Sequence, residues 1–183
     1  VGFHWLRGMI HASRQDAAGA LECFNEEIAA ASAGHIYGRE FAANAHAASG
    51  FTWLAGDNIQ AASASFARAT SESIVHPKAR VGEYALAVRT GSESAIDRAR
   101  AAVDDAIVEL GRGERAVEAA LVAAGAAIAR GDASSAIGTL DRLLTEAPAG
   151  PAGWIIPIDP MLAGLREYPG KSAILAKLAA RAV

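Results

Sequence analysis

The chain is poor in cysteine, in aromatic residues and in net charge, and each shortage excludes something. Its one cysteine, Cys23, cannot form an internal disulfide, which is typical of a reducing compartment, and we therefore expect a cytoplasmic protein. Aromatic residues make up 6% of the chain, so its core must be built mainly from small and aliphatic side chains. A net charge of −3 argues against a nucleic-acid-binding protein, which needs a basic face.

Long hydrophobic runs are also missing. The longest stretch without a charged residue, Phe41 to Gly56, is shorter than a membrane span and consists mostly of alanine, serine and glycine. No signal peptide or lipidation motif is visible, and we expect no membrane partner. The chain begins at Val1, without an initiator methionine, and continues at once into an apolar helical pattern. We therefore expect it to be part of a longer protein.

Alanine is the residue that the chain has in excess. It supplies 46 of the 183 residues, and hydrophobic residues reach 52%, which is incompatible with a disordered chain. Alanine is the strongest helix former, and its small side chain lets helices approach closely. Apolar residues recur with helical spacing, separated by short turns. This pattern predicts an all-α domain over residues 1–148, made of about four two-helix units: 3–32, 36–75, 77–110 and 114–147.

The clearest unit contains the turn Gly131-Asp132. A helix ends at Gly131, and Asp132 is predicted to cap the helix that follows. In the first unit a helix is predicted from Phe3 to Ser13, and Asp16 is predicted to cap the next one. The inward face of that helix carries a small residue, a larger one four positions later and another inward residue three positions further. The same arrangement recurs at intervals of 42, 33 and 41 residues. The four sets are Ala20/Phe24/Glu27, Ala62/Phe66/Ala69, Ala95/Ala99/Ala102 and Ala136/Leu140/Leu143.

These units resemble the tetratricopeptide repeat family. That family's unit has Leu-Gly-x-x-Tyr in its first helix, a Gly-Asp turn, an alanine with an aromatic residue four positions later, and a closing proline. Gly131-Asp132 and Pro148 match this pattern; Gly56-Asp57 matches with one extra residue after the turn, and the third unit is the poorest, with Ala99 at the aromatic position. The resemblance covers about residues 3–148 and is to degenerate arrays of the bacterial type. It implies antiparallel helix hairpins stacked as a right-handed α-solenoid.

The resemblance also implies a function. Members of the family bind peptides or protein surfaces in the concave groove formed by the first helices of their units. We therefore expect an interaction scaffold without enzymatic activity: the repeat region of a larger signalling or regulatory protein, which binds a protein, a peptide or another domain of the same chain. The groove lacks the paired Lys and Asn that grip a C-terminal carboxylate in chaperone-binding members. Its positions in this sequence are Trp5, Met9, Asn44, Phe51, Arg80, Tyr84, Glu118 and Leu121.

Two other interpretations stay open: a homodimerisation module, in which a second copy fills the apolar groove, and an all-helical enzyme. The sequence offers little for catalysis, and we expect no cofactor and no metal. The five histidines form no i, i+4 metal pair. The adjacent acids Glu26-Glu27 and Asp104-Asp105 are predicted to be solvated surface. Residues 111–113 are predicted to be a turn between helices rather than a phosphate loop, and Cys23, without an evident cationic neighbour, a small buried hydrophobe.

Residues 149–183 do not continue the repeat, and we expect a capping segment. Residues 154–160 are apolar but contain two prolines, so they are predicted to lie extended over the end of the helical stack, with Trp154 and Ile156 buried. Asp159 is predicted to cap a short helix from Pro160 to Arg166. A last amphipathic helix is predicted from Ser172 to Ala182.

Overall fold

The computed structural model describes residues 2–73, 76–148 and 152–181. Within these ranges the protein is all-helical, with nine α-helices, one 3₁₀-helix and no strand. The prediction of an all-α fold is therefore confirmed. The elements are α1 (Phe3–Ser13), α2 (Ala17–Ala31), α3 (Gly38–Ala55), α4 (Ile59–Glu72), α5 (Pro77–Thr90), α6 (Glu93–Arg112), α7 (Ala116–Ala129), α8 (Ala133–Glu146), the 3₁₀-helix Pro160–Leu165 and α9 (Lys171–Ala180).

Each α-helix from α1 to α8 packs against the next one along the chain, and α9 packs against α8. The odd-numbered helices also contact each other in sequence, α1 with α3, α3 with α5, and α5 with α7. The odd helices α1, α3, α5 and α7 therefore lie side by side, and their shared face is a surface to which four separate parts of the chain contribute.

Three of the even helices begin with the same cap. The side chains of Asp16, Asn58 and Asp132 each accept a hydrogen bond from a backbone N–H three residues later, at 2.9, 3.1 and 2.9 Å. A cap of this kind satisfies one of the N–H groups that the first turn of a helix leaves without a partner. The predicted caps Asp16 and Asp132 are confirmed.

The second cap corrects the alignment of the units. Asp57 and Gly131 both adopt left-handed backbone conformations, with φ of 59° and 82°, and each directly precedes its cap, Asn58 or Asp132. The equivalent of Gly131-Asp132 is therefore Asp57-Asn58, and not Gly56-Asp57 as the sequence pattern suggested. The extra residue in the second unit disappears with this shift.

Replacing the cap Asp132 with alanine is expected to lower the free energy of unfolding by about 1 kcal/mol, because the N–H of Ser135 loses its acceptor. Chemical denaturation followed by circular dichroism measures the loss. Ser134→Ala, at an exposed position in the same helical turn, is the matched control and should change stability by less than about 0.5 kcal/mol. Equal effects of the two substitutions would contradict the capping role.

Glycines on the odd helices make room for aromatic rings on the even helices. A Cβ atom at Gly8 would lie 2.5 Å from Cε1 of Phe24, and one at Gly50 would lie 2.4 Å from Cε1 of Phe66. Gly82 on α5 approaches the other side of the Phe66 ring, where a Cβ would lie 2.2 Å from the same atom. Both rings are fully buried. The small and aromatic positions of the repeat are therefore direct packing partners.

The third unit departs from the predicted register. In α6 the buried residues are Val103, Ala106 and Leu110, whereas Ala95 and Ala102 are only half-buried. Because a helix buries a stripe at three- and four-residue spacing, the inward stripe passes one residue beyond Ala102. Ala99 lies on this stripe, four residues before Val103, and packs against the core, whereas the predicted positions Ala95 and Ala102 lie beside it. The helix also continues through the predicted turn at residues 111–113 as far as Arg112.

The start of α3 was predicted two residues too early. The helix begins at Gly38, and Ile36 and Tyr37 lie in the preceding turn with 92% and 62% of their surfaces exposed. A Cβ at Gly38 would lie 2.6 Å from the carbonyl oxygen of Ala31, so the first residue of α3 packs closely against the end of α2. The exposed Ile36 and Tyr37 form an apolar tip beside this junction.

The acidic pair on α2 does not lie wholly at the surface. Glu27 is completely buried, and its carboxylate accepts hydrogen bonds from the backbone N–H groups of Gly2, at 2.5 Å, and Trp5, at 3.1 Å. It therefore caps the first turn of α1 from the neighbouring helix. Glu26 is half-exposed and pairs with Arg7 at 2.6 Å. The prediction of a solvated pair was wrong for Glu27 because the N–H groups it satisfies belong to another helix.

Candidate binding groove

The shared face of the odd helices is a groove, and the chain's own C-terminal segment (residues 152–166) lies in it. The 3₁₀-helix Pro160–Leu165 contacts α1, α3, α5 and α7. The segment was predicted to lie extended over the end of the stack. Instead, residues 152–158 form turns, and the 3₁₀-helix lies beside the C-terminal halves of α1, α3 and α7. The predicted cap Asp159 is confirmed, with its carboxylate accepting from the N–H of Met161 at 3.0 Å.

Two close contacts seat the 3₁₀-helix on α7. A Cβ atom at Gly125 would lie 2.7 Å from the sulfur of Met161, so the Met161 side chain packs directly on the backbone of α7 at this glycine. In the reverse direction, a Cβ at Gly164 would lie 2.5 Å from Cγ2 of Ile128. Met161, Leu162 and Leu165 are all buried. The groove and the segment therefore fit each other through matched small and large residues.

A buried ion pair fixes the segment to α5. Nζ of Lys78 lies 2.6 Å from Oδ2 of Asp159, and the two side chains are 16% and 2% exposed. At the far end of the segment, the guanidinium of Arg166 donates to the carbonyl oxygen of Ala12 on α1 at 3.4 Å. The first contact joins residues 81 positions apart in the chain, and the second joins residues 154 apart. Sequence reasoning named neither Lys78 nor Arg166, because no local pattern marks such distant pairs.

The segment presents its apolar residues differently from the prediction. Ile155 and Ile156 are buried, as was expected of Ile156, but 49% of the surface of Trp154 is exposed. Trp154 instead lines a shallow apolar depression together with Val117 and Leu121 of α7. The prediction of a buried Trp154 was wrong because the turns at residues 152–158 do not alternate side chains as an extended strand does, and they bury the adjacent residues Ile155 and Ile156 instead of Trp154 and Ile156.

Four of the predicted groove residues contribute to its surface or rim. Phe51 of α3 lines the cavity against the 3₁₀-helix, and Leu121 lies beside Trp154. Asn44 and Glu118 line a polar pocket between the N-terminal halves of α3, α5 and α7, with a volume of about 570 Å³. The other lining residues of the polar pocket are Arg39, Glu40, Ala43, Glu72, Ser73, His76, Pro77 and Arg115.

The other four predicted residues lie elsewhere. Met9 and Tyr84 are buried in the core, with 1% and 4% of their surfaces exposed, and present almost nothing to a partner. Trp5 is half-buried and packs edge-to-face on Phe41, with 6.2 Å between the ring centroids. Arg80 pairs with Glu83 on its own helix at 3.1 Å. The polar pocket therefore collects Asn44 and Glu118, but not the whole predicted set.

His76 forms the floor of the polar pocket. It caps α5, with Nδ1 accepting a hydrogen bond from the N–H of Ala79 at 3.2 Å, so the proton of the neutral ring is on Nε2. Nε2 then donates to Oδ1 of Asn44 at 3.3 Å. Burial, with smaller contributions from the positive charges of Lys78 and Arg115, lowers the pKa of His76 from 6.5 to about 4. The fold therefore requires the neutral imidazole.

This depressed pKa predicts acid sensitivity. The unfolded chain takes up the His76 proton near pH 6.5 and the folded chain only near pH 4, so stability falls as the pH drops through that interval. The loss attributable to His76 is about 3 kcal/mol, at 1.36 kcal/mol per pKa unit. It is measured by chemical denaturation between these pH values. His76→Asn keeps a capping acceptor but does not titrate, and should flatten this part of the profile; an unchanged profile would contradict the assignment.

A cationic neighbour of Cys23 escaped the sequence reasoning. Nε of Arg7 donates to the sulfur of Cys23 at 3.0 Å, and Arg7 also pairs with Glu26. Only 2% of the surface of Cys23 is exposed, so Arg7 contacts a thiol that is buried between α1 and α2. The two residues are 16 positions apart on different helices, and no spacing rule connects them.

No protein-family model matches the chain, and neither a curated protein nor a solved structure is detectably similar to it. In the described ranges no group of three or more His, Cys, Asp or Glu side chains is placed to hold a metal ion. None of the helices described here has the length and apolar character needed to cross a bilayer.

Proposed function

We propose that the chain is a protein-interaction scaffold of the tetratricopeptide type, a right-handed α-solenoid within a larger cytoplasmic signalling or regulatory protein, which binds a protein or peptide in the groove of its odd helices. Three observations support the repeat assignment: the sequential packing of helices, the recurring caps at Asp16, Asn58 and Asp132, and the glycine–aromatic pairs between odd and even helices. Stacked two-helix units of this kind present one long continuous surface, on which such proteins bind their partners.

One observation carries the binding proposal: the groove already holds a peptide-like element. The C-terminal segment sits in it as a short helical turn, with apolar side chains on small groove residues and one buried ion pair. These are the features by which helical ligands are recognised in protein grooves. Beside the segment, the polar pocket around Asn44 and Glu118 stays open, and it offers a partner charged and amide groups.

The proposal is tested by site-specific photo-crosslinking in the full chain. A photoreactive residue at Asn44 or Glu118 samples the groove, and one at Ala64, exposed on α4, samples a face outside it. We expect one defined protein to crosslink from both groove positions and not from Ala64. Equal crosslinking from all three positions, or none from the groove, would overturn the proposal.

Self-association is the second candidate, because the apolar tip Ile36-Tyr37 and Trp154 are exposed. Exposed apolar residues mark a protein contact where they join into a contiguous patch. Sizing across a range of concentrations, with Tyr37→Glu and Trp154→Glu, tests it. A dimer that both substitutions dissociate with helicity retained would support self-association, and a monomer at all concentrations would exclude it. Phe51→Glu is unsuitable, since the Phe51 ring packs against Phe66 in the core.

A further inference from the structure

The backbone of the C-terminal segment is separate from the helices, although its buried side chains, among them Ile156, Met161 and Leu165, join their hydrophobic core. Its backbone hydrogen bonds are local: the N–H groups of Ile156, Asp159 and Leu162 all donate to carbonyls three or four residues earlier in the segment. Its described polar contacts with the odd helices are made by the side chains of Asp159 and Arg166, and its backbone approaches α7 closely at Gly164. Because the backbone of the segment satisfies itself, the groove helices need the chemistry of its side chains and not its connection to the chain.

We infer that the groove recognises a class of partner peptide defined by this segment: an aspartate that caps a short helical turn, followed by methionine or leucine and then by small residues. In this inference, which rests on the proposed function, the C-terminal segment competes with the partner from within the chain. Lys78 selects the carboxylate, Gly125 accepts the long apolar side chain, and Ile128 admits only a small residue opposite it.

The charge and the shape of the groove both favour a peptide of this class. Lys78 is the groove's contact with Asp159, and an ammonium that is 16% exposed needs an anionic partner, because a buried charge without one is costly. The close approach at Gly164 leaves no space for a β-carbon. A peptide with a basic residue at the capping position, or with a branched residue at the position of Gly164, is therefore excluded.

The test uses the full chain and a fluorescent peptide with the sequence of residues 153–168. Asp159→Lys places two ammonium groups together and should release the chain's own segment while leaving Lys78 free to bind. We expect the peptide to bind this variant about tenfold or more tightly than it binds the wild-type chain, since a close charge pair contributes at least that much to affinity. A peptide carrying lysine at the capping position should not bind it, but should bind the Lys78→Glu chain.

Gly164→Val releases the segment by a route that leaves the charges intact, because its side chain would overlap Ile128. This variant should bind the wild-type peptide as well. Circular dichroism checks that the helices remain, and limited proteolysis reports release of the segment. The inference is overturned if the released variants bind the peptide no better than the wild-type chain does, or if neither variant releases the segment.

Sizing of the wild-type chain across a range of concentrations tests a different occupant. A wild-type dimer that Asp159→Lys dissociates, with each groove holding the other chain's segment, would identify a second copy as the ligand and overturn the assignment to a separate partner. A wild-type chain that stays monomeric at all concentrations agrees with the inference. The two proposals fail separately. If the peptide does not bind but groove crosslinks form at Asn44, the ligand class is wrong; if the peptide binds but no partner crosslinks, the proposed function is wrong.

Discussion

Replacing Phe66 with alanine is expected to lower the free energy of unfolding by about 3–5 kcal/mol, the usual range for deleting a buried aromatic ring. The ring is completely buried between Gly50 of α3 and Gly82 of α5, and it packs edge-to-face on Phe51 with centroids 5.0 Å apart. It therefore joins α3, α4 and α5, and its removal leaves a cavity bounded by three helices. Chemical denaturation measures the loss, and a cost below about 1 kcal/mol would contradict this packing.

A double-mutant cycle separates the ring's contact with Gly82 from its general burial. Gly82→Ala alone should cost about 1–3 kcal/mol through overpacking, because the new Cβ would overlap Cε1 and Cζ of Phe66. Phe66→Leu removes these two atoms while keeping an apolar side chain. In that background Gly82→Ala should cost clearly less, and equal costs in both backgrounds would show that the two residues are not in contact.

Removing the carboxylate of Asp159 is the second change that we expect to cause a large loss of stability. Asp159→Ala should lower the free energy of unfolding by about 3–5 kcal/mol, since it leaves Lys78 mostly buried without its partner. It also removes the cap of the 3₁₀-helix at the N–H of Met161. Chemical denaturation measures the total, and limited proteolysis should show earlier cleavage in the C-terminal segment than in the wild-type chain.

Two matched variants show whether burial causes this effect. Lys78→Met combined with Asp159→Asn removes both charges, and should cost less than Asp159→Ala, because no unpaired charge remains. Asp97→Asn breaks the exposed pair with Arg100, in which the side chains are 56% and 59% exposed, and should cost less than about 0.5 kcal/mol. If Asp159→Ala cost as little as Asp97→Asn, the ion pair with Lys78 would not be buried in solution.

These two predictions concern different parts of the molecule. Phe66 belongs to the repeat pattern, in which a small residue on one helix and a large one on the next fit together. Asp159 belongs to the segment that occupies the groove. Loss of Phe66 should lower the stability of the whole array, whereas loss of Asp159 should first free the segment. Proteolysis and global unfolding can therefore report the two events separately.

Features with local causes could be predicted from the sequence. The bounds of α1, Phe3–Ser13, agree with the prediction, because its apolar spacing and the turn after it involve only neighbouring residues. The caps at Asp16, Asp132 and Asp159 also act within three residues and were predicted. The predicted last helix is α9, Lys171–Ala180, and the expected end at Ala182 lies outside the described residues.

The sequence predictions were wrong where two alternative local patterns fitted the sequence equally well. In α6, alanines recur so often that neighbouring stripes look alike, and only the contact with α5 and α7 decides that Val103 rather than Ala102 is buried. At Trp154, an apolar run does not show which side chain faces inward. Glu27 was placed both at an inward position of its repeat set, which is confirmed, and in a solvated acidic pair, which is wrong, since nothing in α2 shows that the N-terminus of α1 lies beside it.

The sequence by itself determined the all-helical class, the start of α1 and the caps at Asp16, Asp132 and Asp159, because these depend on propensity and on contacts a few residues apart. Only the tertiary structure decided that the groove of the odd helices holds the chain's own C-terminal segment. The ion pair between Lys78 and Asp159 joins residues 81 positions apart, and the seat of Met161 on Gly125 likewise joins separate parts of the chain. Such contacts leave no periodic trace in the sequence, since they depend on how the helices stack.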